Sequence, residues 1–405
     1  MEDIYLAQIN DNRLLTLQEV KTKQQFHKIN NDNILQEGNL LIIEKCYKGK
    51  ICGKDEIFEK IEGHILDLAK NKIGNYILKF MLEQDDINEN VKKENKNEKD
   101  EDSNKKIPKT KRDTIFNTLE NNIYDLSMHQ YACYIISLFI DLKDNNYITK
   151  INDKIEKGIN NNNLSLKKVE IFKNENSSHI IEKLIDYMDV KNISYIYKII
   201  HENFLDLYDD LYAQHIISKI LINILEKNKE NKNNEIFNQI ISEESSNNYD
   251  SETKKIMEEI LEDFKNNIVN LLLSKNGRYI INDILEAHKE SSELIYEKIK
   301  GKIYEYSLHE FSYLVIQKLL KEGEDNIKKK IINEIIDERC SIDKISTLGN
   351  DKYGNYVVQE IIDIVWDTDP KIKEKIIKVF ENESDKEYNI YVKKYIKNKK
   401  RNLNK

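Results

Sequence analysis

Apolar residues recur along this chain in a fixed frame. Seven ten-residue stretches obey one rule: IGNYILKFML from Ile73, YACYIISLFI from Tyr131, NSSHIIEKLI from Asn176, YAQHIISKIL from Tyr212, NGRYIINDIL from Asn276, FSYLVIQKLL from Phe311 and YGNYVVQEII from Tyr353. The second residue of each is small (Gly74, Ala132, Ser177, Ala213, Gly277, Ser312, Gly354), and the fifth and sixth are apolar. A second pattern runs ahead. Ile57, Ile115, Ile196, Ile260 and Ile295 each lie 16 residues before the start of a stretch, with apolar residues at +1, +4, +8, +9 and +11. That spacing is a helical stripe. Each unit is therefore predicted to be one helix, a short turn and a second helix that carries the small-residue stretch. Such a unit cannot bury its apolar face alone, whereas stacked neighbours can, so the expected fold is an all-α solenoid. The small residue is expected to let the adjoining turn or helix approach closely.

Further copies are weaker. QEGNLLIIEKCY puts Gly38, Asn39 and Ile43 in the frame, and INDNRLLTLQEV puts Asn12, Arg13 and Thr16 there, with Asp11 at the small position. Residues 364–405 resemble one more unit without its polar triplet and are expected to form a C-terminal cap with a basic tail. The total is about eight to nine repeats, read as one repeat domain over 1–405. Spacings between equivalent positions are 36 (Ser178 to Gln214), 35 (Arg278 to Tyr313) and 42 (Tyr313 to Asn355), but 58 from Asn75 to Cys133 and 64 from Gln214 to Arg278. The excess falls in 84–111, nearly devoid of apolar residues and expected to be disordered, and in 227–252, expected to be flexible around an island from Ile236 to Ile241.

The chemistry lies on the other side of the second helix. Asn355, Tyr356 and Gln359 fall within a wedge of about 100°, opposite Val357, Val358, Ile361 and Ile362. The middle position of that wedge is Tyr76, Tyr134, His179, His215, Tyr279 or Tyr356 in six of the seven stretches, and Leu314 in the other. A ring once per repeat along one surface suits stacking on successive unpaired bases, at about 1–3 kcal/mol per base. The flanking residues can then reach base edges, about one base per repeat. These pairs are Asn75/Lys79, Cys133/Ser137, Ser178/Glu182, Gln214/Ser218, Arg278/Asn282, Tyr313/Gln317 and Asn355/Gln359. In the first weak copy Arg13 takes the stacking position.

Composition narrows the field. A net charge of −8 excludes a globally basic nucleic-acid binder and leaves a local basic groove open. Two prolines and eleven glycines argue against a turn-rich β architecture. The four cysteines lack zinc-site spacing and suggest a reducing compartment. No apolar run reaches a membrane span, and MEDIYLAQIN does not read as a signal peptide. No Gly-rich phosphate loop or HExxH occurs, so no enzyme, cofactor or metal is expected. His179 and His215 sit in the repeat frame, which favours stacking over catalysis. Lys183, Lys219 and Lys318 are candidates for phosphate contacts.

GNYVVQ at 354–359 followed by IID, on the long approach IINEIIDERCSIDKISTLGNDKYGNYVVQ, resembles the final repeat of Pumilio-type (PUF) RNA-binding domains, and the frame extends the likeness over nearly the whole chain. The resemblance implies a right-handed crescent that binds single-stranded RNA on its concave face, with the C-terminal repeat toward the 5′ end. It implies a monomer, with the convex face open to a protein partner. It further implies mRNA 3′ untranslated regions as targets and post-transcriptional regulation in the cytoplasm, or ribosome assembly in the nucleolus. In the family, Asn and Gln around a Tyr read uracil, which Asn355, Tyr356 and Gln359 match. Ser with Glu reads guanine, which Ser178 and Glu182 match, with His179 stacking. The remaining pairs depart from the family's pattern, and the expected preference is 5′-U-N-N-N-G. A protein-binding scaffold of the HEAT or armadillo type is the alternative, although such arrays need no ring at a fixed position.

Overall fold

The computed structural model describes residues 16–83, 110–161, 165–230, 251–336 and 343–402, and among them all regular structure is helical. Arg13 lies outside the described residues. So do positions 84–109 and 231–250, which hold most of the two sequence-defined insertions, including the Ile236–Ile241 island. The chain divides into two compact units, Met1–Met188 and Asp189–Lys405.

The described part of the first unit comprises α1 (Leu17–His27), α2 (Glu37–Lys48), α3 (Lys54–Ile61), α4 (Ile65–Lys70), α5 (Gly74–Glu83), α6 (Lys111–Leu119), α7 (Ile123–Met128), α8 (Ala132–Asp141), α9 (Asn145–Asn161), α10 (Ser165–Lys173) and α11 (Glu175–Tyr187). The second unit comprises α12 (Ser194–Glu202), α13 (Phe204–Leu207), α14 (Ala213–Glu230), α15 (Ser251–Leu273), α16 (Gly277–Ala287), α17 (Ser291–Ile299), α18 (Ile303–Ser307), α19 (Ser312–Glu322), α20 (Asp325–Ile335), α21 (Asp343–Gly349), α22 (Gly354–Thr368), α23 (Pro370–Asn382) and α24 (Asn389–Asn402). The helices that carry the stretches pack side by side in chain order: α2 on α5, α5 on α8 and α8 on α11 in the first unit, and α14 on α16, α16 on α19 and α19 on α22 in the second.

The apolar frame is the core. Ile57, Ile115, Ile196, Ile260 and Ile295 are fully buried, as are the paired apolar residues of all seven stretches, from Ile77 and Leu78 to Val357 and Val358. Each buried aliphatic side chain contributes about 1.5–3 kcal/mol relative to exposure, and no unit supplies both walls of its own core.

The first helix of a unit is not continuous, contrary to the sequence expectation. In four of the five copies it breaks at the residue seven after the leading isoleucine. That residue is His64 (φ −125°, ψ 15°), Asn122 (φ −111°, ψ 7°), Asn203 (φ −127°, ψ 22°) or Lys302 (φ −128°, ψ 13°). This bridge-region geometry ends one helix and turns the next. In the fifth copy Asn267 stays helical within α15, its amide bonded to the Asp263 carbonyl at 2.8 Å.

The insertion boundaries also shift. Thr110 and Asp113 cap each other, with the Asp113 amide donating to Thr110 Oγ1 (3.1 Å) and the Thr110 amide to Asp113 Oδ2 (3.2 Å), so Thr110 and Lys111 open α6. Residues 227–230 extend α14, and 251–252 begin α15. At the C-terminal end α22 runs through Thr368. Asp369 then accepts from the amides of Lys371 (3.1 Å) and Ile372 (3.0 Å) and starts α23, with Pro370 where no amide donor is needed. α23 and α24 pack against α22, and Trp366 is buried there.

Candidate nucleic-acid interface

Each stretch begins with a polar residue that orders its first turn, a signal the sequence reading missed. Three residues before the small position, Asn71, His129, Asn174, Asp210, His309 and Asp351 each accept two backbone amides. Asp351 Oδ1, for example, takes those of Tyr353 and Gly354, both at 2.8 Å. In the remaining copy Ser274 Oγ accepts the Gly277 amide at 2.7 Å. These are orphan donors of a helix N-terminus. Satisfying them fixes where the helix starts and which way its first side chains point.

His129 can do this only with an unprotonated Nδ1, which accepts from Tyr131 (3.2 Å) and Ala132 (3.4 Å). Burial, with the nearby Lys70 charge, holds its pKa below the ordinary histidine value. A depressed folded-state pKa means that the unfolded chain binds the proton more readily. The contribution is therefore complete above the unfolded pKa of about 6.5 and is lost as pH falls below it. His129→Asn, which copies the caps of Asn71 and Asn174, is expected to flatten the loss of stability between about pH 7.5 and 5.5. Denaturant titrations at several pH values check this, and an unchanged slope in the variant contradicts it.

In four copies the small residue packs against the carbonyl six positions earlier. A Cβ on Gly74 would lie 2.6 Å from the Leu68 oxygen, and one on Gly354 2.7 Å from the Leu348 oxygen. Where the position is serine, the hydroxyl uses the same carbonyl: Ser177 Oγ donates to Ile171 (2.6 Å) and Ser312 Oγ to Tyr306 (2.7 Å). The close approach expected from sequence is present.

Next in order come the base-edge and stacking positions, and the structure separates them. Asn75, Cys133, Ser178, Gln214, Arg278 and Asn355 are at most 9% exposed, whereas Tyr76, Tyr134, Tyr279 and Tyr356 are 39–61% exposed; His179 and His215 are exposed as well. The expectation that amide, ring and amide all project together is therefore corrected. In four copies, those of Asn75, Ser178, Arg278 and Asn355, the first edge residue is bonded to the turn. Asn75 Nδ2 donates to the carbonyls of Asn71 (3.0 Å) and Lys72 (2.9 Å), and Asn355 Nδ2 to those of Asp351 (2.9 Å) and Lys352 (2.8 Å). Asn355 Oδ1 accepts from Gln359 Nε2 at 3.1 Å, which orients Gln359. Ser178 Oγ donates to the Glu175 carbonyl (3.1 Å). The Cys133 thiol, whose pKa burial pushes up, lies 3.7 Å from Asn176 Oδ1 on α11.

The third positions remain available to different degrees. Lys79 is exposed; Ser137, Glu182, Asn282, Gln317 and Gln359 are half-buried; Ser218 is buried. Glu182 Oε1 lies 3.5 Å from His179 Nδ1. Arg278 lies flat over Tyr279 (4.4 Å to the ring centroid), with Nη2 donating to the Tyr279 hydroxyl (2.9 Å) and Nη1 to the Lys275 carbonyl. Gln214 Oε1, Arg278 Nε and Asn282 Oδ1 are buried without a hydrogen-bond partner among the described groups. Each such atom costs about 1–3 kcal/mol. On α2, Ile43 is fully buried and cannot face a ligand. Two of the suggested phosphate lysines are engaged in ion pairs, Lys183 with Asp141 (2.5 Å) and Lys318 with Glu286 (2.8 Å).

Comparison with known proteins matches this geometry. Residues 64–89, 122–136, 173–201, 302–336 and 344–365 match the Pumilio-family RNA binding repeat. Over 201 residues the chain is 22% identical to Pumilio homology domain family member 4 of Saccharomyces cerevisiae, a match that covers 48% of this chain and 19% of that protein's length. Among solved structures, the Puf3 RNA binding domain bound to Cox17 RNA 3′ UTR recognition sequence site B superposes with a TM-score of 0.65 at 17% identity, covering 94% of this chain and 99% of that one. The Puf4 RNA binding domain bound to the HO endonuclease RNA 3′ UTR recognition sequence superposes with a TM-score of 0.59 at 17% identity, covering 85% and 90%. The fold common to them is an all-α repeat solenoid, as the sequence frame predicts.

Proposed function

We propose that the chain is a Pumilio-type repeat protein and that it binds single-stranded RNA with selectivity for base identity, through the exposed rings at the starts of its repeat helices. The observation that carries this reading is the alternation at each start. The edge residue is buried, and the next side chain is a ring left in solvent, in six of seven stretches. Burying those rings would improve stability unless their exposure serves a ligand with flat faces. A scaffold for proteins would not need a planar group at one fixed position. The role is binding, not catalysis.

Two repeats carry base preferences. With Asn355 committed to the turn, Gln359 retains a second amide hydrogen and its Oε1, a donor and acceptor pair that meets a carbonyl and the N3–H of uracil. Asn355 is the positioning residue. Glu182 offers two carboxylate oxygens to the N1–H and N2–H donors of guanine, and it would face an unpaired acceptor at N1 of adenine. The Puf3 and Puf4 domains with the same fold are bound to 3′ UTR sequences. That supports mRNA 3′ untranslated regions as targets, and the role this reading assigns is post-transcriptional control in the cytoplasm. A nucleolar part in ribosome assembly is the second reading, and localisation of the tagged protein separates them.

Selection from a random single-stranded RNA pool tests the function. The expected result is enrichment of a uracil that disappears in Gln359→Ala, and of a guanine whose preference over adenine relaxes in Glu182→Gln by about 1–3 kcal/mol. A folded protein that enriches no sequence and binds no RNA defeats the reading.

A further inference from the structure

The repeat built on α19 departs from the other six at the first two positions of its triplet. Its edge residue is Tyr313, whose ring stacks on Tyr356 (centroids 5.8 Å apart, planes 29° apart) and on Tyr353 (5.3 Å, 28°). Its stacking residue is the aliphatic Leu314. Its third residue, Gln317, donates Nε2 to the Tyr356 backbone carbonyl at 3.2 Å and so turns its donor toward the neighbouring helix. A base read by this repeat would have to rest against Tyr356, with its edge toward residues 313 and 317. A ring of about pyrimidine size already occupies that side of Tyr356.

We propose that the α19 repeat is a spacer: Tyr313 takes the place of a base in the stack, and the nucleotide opposite it is carried past unread, with its base turned away from the protein. The proposal rests on the RNA-binding reading above and adds to it a specific interruption. The RNA would be read at the α22 repeat and again at the α16 repeat, with a tolerant position between. Extruding one base from a single strand forfeits only its stacking on its neighbours, and the Tyr313–Tyr356 contact is already present in the free protein. Identity at that nucleotide then has little means of affecting affinity, because the Tyr313 ring fills the place of the base against Tyr356 and Gln317 Nε2 is turned to the neighbouring helix.

The test is an abasic scan. An RNA selected by the full chain is resynthesised with one abasic nucleotide at each position in turn, and binding is followed by fluorescence anisotropy. The register is set by the uracil whose preference is lost in Gln359→Ala. An abasic residue at that uracil is expected to weaken binding by about tenfold or more, the scale of one lost stack. An abasic residue immediately 3′ of it is expected to change binding less than about twofold, on the same scale. In Tyr313→Asn the ring is gone, a base can enter against Tyr356, and the same 3′ abasic substitution is expected to cost about fivefold or more. The wild-type scan stands by itself if that variant fails to fold. A loss at the 3′ nucleotide as large as at its neighbours overturns the spacer while leaving the RNA-binding reading intact. So does a folded Tyr313→Asn whose scan matches the wild type. A folded wild-type chain that binds no RNA overturns both.

Discussion

Truncation of the two most exposed tyrosines at the stacking positions, Tyr134→Ala and Tyr76→Ala, is expected to weaken single-stranded RNA binding by about 1–3 kcal/mol each, and the double variant by close to the sum. These two are the cleanest probes because their faces are open: Tyr134 is 61% exposed and Tyr76 53%. Tyr279 carries the Arg278 guanidinium on its ring, and Tyr356 carries Tyr313, so their removal would disturb protein contacts as well. The fold is expected to survive both truncations. The apolar residues that follow each ring, Ile77 and Leu78 or Ile135 and Ile136, are the ones that reach the core. Anisotropy gives the affinity and circular dichroism the helix content. Unchanged affinity with unchanged helicity in the double variant would sink the stacking platform.

Gly354→Val is expected to destabilise the protein by about 3 kcal/mol, the upper part of the usual range for overpacking. A Cβ there lies 2.7 Å from the Leu348 oxygen, 2.9 Å from its Cδ2 and 3.0 Å from its Cα, and two of those three atoms are backbone. A branched side chain must push α22 away from α21. That displaces the first turn of α22, where Asp351 meets the amides of Tyr353 and Gly354. Gly354→Ser should cost far less, because Ser177 and Ser312 occupy the equivalent position and bond the equivalent carbonyl. Urea titration of the two variants measures the difference. Equal costs would mean that the close approach is not what selects a small residue.

Much of this was legible in the chain because it repeats. One copy of KYGNYVVQEIID is an amphipathic helix with a polar face; seven copies isolate what recurs, namely a small residue and two apolar positions in all of them and a ring in six. Those positions answer to local rules. The 3.6-residue period places the isoleucines on one side and the rings on the other, and close packing, against a backbone carbonyl at Gly74, Ser177, Ser312 and Gly354, keeps the second residue small. The capping residues were legible too. A side chain able to accept backbone amides three positions before the small residue is visible in every copy, but its type varies among Asn, Asp, His and Ser, so a search for identity passes over it.

The amino-acid sequence by itself determined the helical repeat, its frame, its core and the family of proteins it resembles, because each of these depends on spacing along one helix or on contacts repeated in every unit. Only the tertiary structure decided which polar residues remain free to meet a ligand. Asn355 and Gln359 look equivalent on a helical wheel. The first is buried with its amide spent on two carbonyls, and the second is held in place by it. Tyr313 looks like one more ring in a series of rings. It lies instead on two tyrosines of the following repeat. Helical periodicity assigns a direction to a side chain, whereas availability depends on what the preceding turn has already claimed, as for Asn355, and on what the neighbouring repeat places there, as for Tyr313, whose partners lie far away in the sequence.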